Sequence, residues 1–295
     1  KNALSKLEAN TITFYGTNTG DLGTIKAIGT VSGLTTKKPT SIEAGTNRLV
    51  VVGSEVEDYY VVHSNTATIS NSSEEGKYSI QDGDSTAASV SANVTLIFAK
   101  DCTLTINKNL SSAVSVGDIQ ASGNLTIVDT NASGQHATIK SITANGALTM
   151  NDYCGTVSGD ISAGGNISLE GNTTTGLSGT IGTANSQNTI STSAGTIKIK
   201  MASSGTLNSN VKNTGTGDIS VTNSNTQKTV TSDITAEQGT VYLKGCNAPI
   251  NSALFSGKIY AEKGLTVTYN IAPVTEKTAI NVYLGNNATI QLVET

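Results

Sequence analysis

Two groups of residues have types and spacings that can do chemistry. The densest is Glu55-Val-Glu-Asp-Tyr-Tyr60, with His63 close behind. There Tyr59 or Tyr60 can stack on a sugar ring while Glu57 or Asp58 accepts hydrogen bonds from its hydroxyls. The period-2 alternation of a strand turns one of the two tyrosines outward. The other group is a set of aspartates that each precede an isoleucine: Asp118, Asp160, Asp218 and Asp233. Asp118 and Asp160 hold equivalent places in a repeat, with Ser141 between them. A ladder of carboxylates offers Ca²⁺ the several oxygens it prefers. The same residues can instead cap turn N–H groups, a common use of Asp. Asp82-Gly-Asp84, with Glu74 and Glu75 nearby, is a further calcium candidate that lacks the rest of a binding loop.

Other chemistry finds little support. The three cysteines, Cys102, Cys154 and Cys246, are far apart and have no metal-ligand spacing, so zinc is not expected. Buried free thiols are the simpler reading, and a disulfide would leave one cysteine over. His63 and His136 read as surface or turn residues, and no Ser–His–Asp or Cys–His arrangement follows from spacing. Glycan hydrolysis needs an acid and a base across the scissile bond, but the adjacent Asp pair and Gly-His-Gly segment of the galacturonidase family are absent: no Asp-Asp occurs and His136 sits in Gly134-Gln-His-Ala137. A lyase would want cationic bases, and Arg48 is the sole arginine. The expectation is therefore no catalytic residue and no enzyme, with a glycan-cleaving enzyme as the weaker alternative.

The elements that must position these residues repeat. Asp118-Ile-Gln-Ala-Ser-Gly-Asn-Leu-Thr-Ile127, Ser141-Ile-Thr-Ala-Asn-Gly-Ala-Leu-Thr-Met150 and Asp160-Ile-Ser-Ala-Gly-Gly-Asn-Ile-Ser-Leu169 share one pattern. It returns from Asp233 to Leu243 and from Lys258 to Val267. The lead isoleucine moves from 119 to 142 to 161, and again from 234 to 259, so the period is 19–25 residues. Periods in this range mark stacked repeats. Each unit holds two short alternating strands, Ile-x-Ala and Leu-x-Ile, about a glycine turn. Three apolar side chains make no core alone, but stacking units about 4.8 Å apart joins them into columns. The predicted fold is all-β, a right-handed parallel β-helix capped at both ends. A β-sandwich would not require the same residue types in the same order.

Composition agrees. Aromatics are 4% of the 295 residues, Trp is absent and charged residues are 14%, so the core is thin and aliphatic and the surface is hydroxyl- and amide-rich. A net charge of −4 leaves no basic patch for nucleic acid. The longest apolar run, Leu49-Val-Val-Val52, is too short to span a membrane. The chain starts at Lys1, which is read as a mature or trimmed form whose export signal has been removed.

Along the chain, residues 1–90 are predicted as an N-terminal cap and irregular β coils. Leu4 and Leu7, at i and i+3, suggest a short helix over the end of the stack. Residues 91–270 form the regular β-helix, with longer turns over 171–217, and residues 271–295 the closing strands.

The stretch Asn93-Val-Thr-Leu-Ile-Phe-Ala-Lys-Asp-Cys-Thr-Leu-Thr-Ile106, followed by Gly123-Asn-Leu-Thr-Ile127, resembles β-helical modules in large surface proteins of gut bacteria, often labelled adhesins. Gly159-Asp-Ile-Ser-Ala-Gly-Gly-Asn-Ile-Ser-Leu169 is similar to coils of filamentous haemagglutinin-type adhesins. The resemblance covers roughly residues 91–270. It implies an extracellular or cell-surface module, with a host or bacterial surface glycan or a matrix protein as partner. A carbohydrate-binding β-helix is the nearest alternative, although the missing Trp weighs against an aromatic sugar platform.

Overall fold

The computed structural model describes residues 64–84, 88–92, 94–129, 134–171, 176–184, 187–223 and 234–239. Outside these it describes the strands Leu4–Ala9, Ile12–Thr13, Leu22–Ala27, Val31–Ser32, Ser41–Ala44, Val50–Val52, Tyr59–Val62, Val241–Gly245, Ile259–Ala261, Thr266–Ile271, Val282–Leu284 and Thr289–Glu294. Among the described residues the chain is all-β, and no helix is long and apolar enough to cross a membrane.

Two parallel ladders form the body of a β-solenoid. One runs from Tyr59–Val62 through Thr95–Phe98, Val114–Ala121, Ala137–Ala144, Ile161–Ala163, Thr189–Thr192, Asn210–Asn213 and Ile234–Ala236 to Val282–Leu284. The other runs from Cys102–Ile106 through Leu125–Asp129, Leu148–Asn151, Ile167–Glu170, Ile197–Met201 and Ile219–Asn223 to Thr289–Glu294. A third, shorter ladder joins Thr156–Val157, Thr180–Ile181 and Thr206–Leu207.

Register keeps like residues above like. Ile119 pairs with Ile142, Ile142 with Ile161, Ile161 with Ile190 and Ile190 with Val211. On the other ladder Leu125, Leu148, Ile167, Ile197 and Ile219 stack in turn. All of these side chains are buried. The reason is the two-residue period: Leu125, Ile127 and Asp129 point inward while Thr126 and Val128 do not. Each fully buried Ile or Leu contributes about 1.5–3 kcal/mol relative to exposure, and a one-residue slip would turn the whole set outward.

The inward alanine column, Ala121, Ala144 and Ala163, continues as Thr192 and Asn213 before returning to Ala236. Both polar replacements are buried and both are satisfied. Thr192 donates its hydroxyl to the Gly165 carbonyl at 2.7 Å. The Asn213 amide donates to the carbonyls of Gly195 at 2.8 Å and Gly217 at 2.7 Å, and its oxygen accepts the Gly215 N–H at 2.9 Å. The amide therefore ties its own turn to the turn of the preceding coil. The turns stack closely: a Cβ on Gly195 would meet backbone atoms of Gly165 and Asn166, and a Cβ on Gly217 would meet the Gly195 carbonyl. Asparagines replace some backbone pairing along the same edge. The Ala147 N–H donates to the Asn124 side-chain oxygen and the Thr196 N–H to that of Asn166, both at 2.8 Å.

The N-terminal region differs from its predicted form. Residues Leu4–Ala9 are a strand, not a helix, and pair in parallel with Leu22–Ala27, which pairs with Ser41–Ala44. Leu7-Glu-Ala9 lies in register with Ile25-Lys-Ala27 and that with Ile42-Glu-Ala44. This is the Ile-x-Ala pattern of the main body. Strand stacking outweighs the i, i+3 spacing of Leu4 and Leu7, because six residues cannot support an isolated helix. Val50–Val52 then pairs antiparallel with Tyr59–Val62, so strand direction reverses there. A meander, Thr66–Asn71, Lys77–Asp82 and Ala88–Ser91, is joined by antiparallel pairs and covers the N-terminal edge of the second ladder through a parallel pairing of Thr66–Asn71 with Cys102–Ile106.

Candidate functional site

The structure separates the residues singled out by sequence. Glu57 and Asp58 lie outside the described residues, as does His63. Tyr59 is placed by its backbone alone, opposite Val51 and Thr95. Tyr60 is 1% exposed and belongs to the core, so it is no stacking platform for a sugar. The inward turn of Tyr60 follows from its register with Leu96, whose side chain is also buried.

Asp118 and Asp160 do sit in one column with Ser141 between them, since Asp118 pairs with Ser141 and the Ile142 N–H donates to the Asp160 carbonyl. Two coil steps put them about 9.6 Å apart, and each carboxylate is engaged elsewhere. Asp118 forms an ion pair with Lys140 at 2.8 Å and accepts the Ser141 hydroxyl. Asp160 accepts the Thr189 N–H at 2.8 Å, the turn-capping use of Asp. The pair is stacked without converging on a shared ion. Asp82 is buried and accepts the Ser64 N–H at 2.8 Å, while Glu74 pairs with Lys77 at the opposite end of the strand Lys77–Asp82. Those acids do not converge either.

Among the described residues, one set of three metal-ligating side chains does meet: Asp129, His136 and Cys154, with one donor atom from each inside a span of 4.8 Å. Asp129 ends the strand Leu125–Asp129 at an inward position and is fully buried. His136 immediately precedes the strand Ala137–Ala144 and is partly exposed. Cys154 follows a turn in which Asp152 takes a φ of +55°, a left-handed value that Asp tolerates better than most residues. That turn drives Tyr153 into the core, where its hydroxyl donates to the carbonyls of Ala137 at 2.6 Å and Thr156 at 3.1 Å.

The local contacts hold these side chains in place. The Cys154 N–H donates to Asp129 Oδ2 at 3.2 Å, and His136 Nδ1 lies 3.6 Å from the same oxygen. The Ser178 hydroxyl donates to Cys154 Sγ at 2.9 Å. Burial raises the Cys154 thiol above its usual range; the Ser178 hydrogen bond opposes this, and the charges of Asp129 and Asp152 reinforce it. A thiol held neutral is a poor nucleophile. Burial also raises the Tyr153 hydroxyl, with the Asp129 charge adding to it, and leaves it a neutral donor.

Sequence spacing missed this cluster because its members come from three different strand ends. The available signal was Asp129 itself, an acid in the inward phase of Leu125-Thr-Ile-Val-Asp129.

Among the described residues, two shallow depressions lie outside the cluster. A cleft of about 380 Å³ is lined by Glu74, Lys77, Ser112 and Ser115 among others, and a groove of about 190 Å³ by Gln120, Ser122, Thr143 and Asn145 with Ile97 and Ala121. The groove belongs to an outward row in register: Gln120, Thr143, Ser162, Ser191 and Lys212. No family model matches the sequence, and neither a curated protein nor a solved structure matches the chain.

Proposed function

We propose that the chain is a non-catalytic, adhesin-like module of an extracellular bacterial surface protein. It binds a host or bacterial surface glycan, or a matrix protein, through one flat side of the solenoid. The observation that carries this reading is the outward row Gln120, Thr143, Ser162, Ser191 and Lys212, repeated at the coil spacing. Such a row presents donors and acceptors at about 4.8 Å intervals on a rigid sheet. Rigid presentation lowers the ordering cost of binding an extended partner. The carbohydrate reading is favoured by the groove along this row, whose hydroxyls and amides from Gln120, Ser122, Thr143 and Asn145 suit sugar hydroxyls.

The test is retention of the purified chain on immobilised glycans and matrix proteins, with calcium and with a chelator. Retention on a polysaccharide supports the carbohydrate form, and retention on a protein alone supports the adhesin. Silence across the panel contradicts both and leaves a spacer.

A further inference from the structure

We infer that Asp129, His136 and Cys154 form a binding site for a single transition-metal ion of the zinc type. The site is independent of the polar face.

The donor set selects the ion. One thiolate, one imidazole and one carboxylate is the mixed sulfur, nitrogen and oxygen set that suits Zn²⁺, whereas Ca²⁺ and Mg²⁺ want oxygen alone. The geometry is close to what such an ion needs. Donor atoms around tetrahedral zinc sit about 3.3–3.7 Å apart, given metal–ligand bonds of about 2.0–2.3 Å. The Asp129 Oδ2 to His136 Nδ1 distance is already 3.6 Å, and the whole set lies within 4.8 Å. The three donors thus stand near three corners of a tetrahedron.

A separate observation points the same way. Among the described residues His136 Nδ1 is sealed from solvent and has no hydrogen-bond partner, although it lies 3.6 Å from Asp129 Oδ2. A buried polar atom left unmatched is penalised, and a metal bond would remove that penalty. The ring as a whole is 30% exposed, so the set lies just beneath the surface. The surroundings orient the donors as well. The Ser178 hydroxyl donates to the sulfur at 2.9 Å and the Cys154 N–H to the Asp129 carboxylate at 3.2 Å, while the thiol's own hydrogen bond to the Asp152 carbonyl, at 3.0 Å, is given up when a metal takes the place of its proton. The ion would pin together the end of the strand Leu125–Asp129, the start of Ala137–Ala144 and the turn after Leu148–Asn151.

The experiment is titration of the full chain, reduced and freed of metal, with Co²⁺ as the probe, followed by displacement with Zn²⁺. The expected result is one Co²⁺ per chain, with a sulfur-to-cobalt charge-transfer band and the intense visible bands of tetrahedral cobalt. Cys154→Ser should remove the charge-transfer band, and Cys102→Ser and Cys246→Ser should leave it. His136→Ala, at a partly exposed position that should fold normally, should weaken binding by at least about 10–100-fold, the cost of losing even an outer partner. It should also abolish the zinc-induced rise in melting temperature. A wild-type chain without these bands overturns the assignment. So do bands that survive both Cys154→Ser and His136→Ala.

Discussion

Asn213 and Ala236 occupy the same register position in neighbouring coils, one filling it with an amide and the other with a methyl group. The amide survives there because it meets the carbonyls of Gly195 and Gly217 and the N–H of Gly215. Asn213→Ala is expected to destabilise the chain by about 1–3 kcal/mol, since the buried Gly195 carbonyl and the half-buried Gly217 carbonyl lose their donor. Asn213→Asp should cost more, because it puts a charge where the carbonyls require a donor. Urea unfolding followed by circular dichroism measures both. A change below about 0.5 kcal/mol for either variant would show that these bonds do not hold the turn.

The close stacking of turns makes a second prediction. In Gly195→Ala the new methyl group meets the backbone of Gly165 and Asn166, which cannot move without disturbing the ladder. The expected loss is about 1–3 kcal/mol, typical of overpacking. At the exposed turn residue Gly76 a Cβ would meet nothing, but φ is +71°, so Gly76→Asn should be tolerated better than Gly76→Val. Thermal melts of the three variants give the order.

Much of this architecture was readable in the sequence. The repeated Ile-x-Ala pattern marked Ile119, Ile142 and Ile161 as one column, and the register confirms it. Two places escaped. Leu7-Glu-Ala9 and Ile25-Lys-Ala27 carry the same pattern, but Leu4 and Leu7 also fit a helical face and local spacing alone does not choose between them. Thr192 and Asn213 broke the pattern because an inward polar residue looks like a loop residue until its partners are known. The candidate sites were less legible. Tyr60 was one of two adjacent tyrosines, and only the pairing with Leu96 shows which way it faces. The Asp129, His136 and Cys154 cluster depends on how three strand ends meet, which no linear spacing encodes.

Ile142 tests the column itself. Its side chain is fully buried between Ile119 and Ile161, so Ile142→Ala should cost about 2–5 kcal/mol and Ile142→Val about 0.5–1.5. Equal and negligible costs would mean that the column is not packed as described.

Asp118 sets a pH dependence. Burial alone would raise its carboxyl, but the hydrogen bonds from Lys140 and Ser141 and the Lys140 charge together hold it below the ordinary value of 3.8. A lowered folded-state pKa stabilises the fold above the unfolded value, and the gain fades as pH falls through the folded one. Wild type should therefore exceed Asp118→Asn in stability at pH 7, by no more than about 1 kcal/mol for so exposed a pair. The difference should vanish in acid below the ordinary aspartate range. A difference that grows on acidification would reverse the sign and refute the assignment.

Cys102 gives a chemical check on the interior. Burial pushes its thiol up to about 12, with the Asp82 charge adding to this and Lys100 opposing it. At pH 8 it should alkylate slowly in the folded chain and rapidly in urea, read site by site by peptide mass spectrometry. Rapid labelling in the folded chain would place the sulfur at the surface.

The most direct test of the functional reading compares the wild-type chain with a variant carrying Gln120→Glu, Thr143→Glu and Ser162→Glu. These three changes lie on the outward row and leave the inward columns untouched. Both proteins are passed over the same panel of immobilised surface glycans and matrix proteins, and their melting is compared. The prediction is that wild type is retained on at least one ligand, while the variant melts as a folded protein and is not retained. Retention of both proteins alike, or of neither, would contradict the assignment of binding to this face.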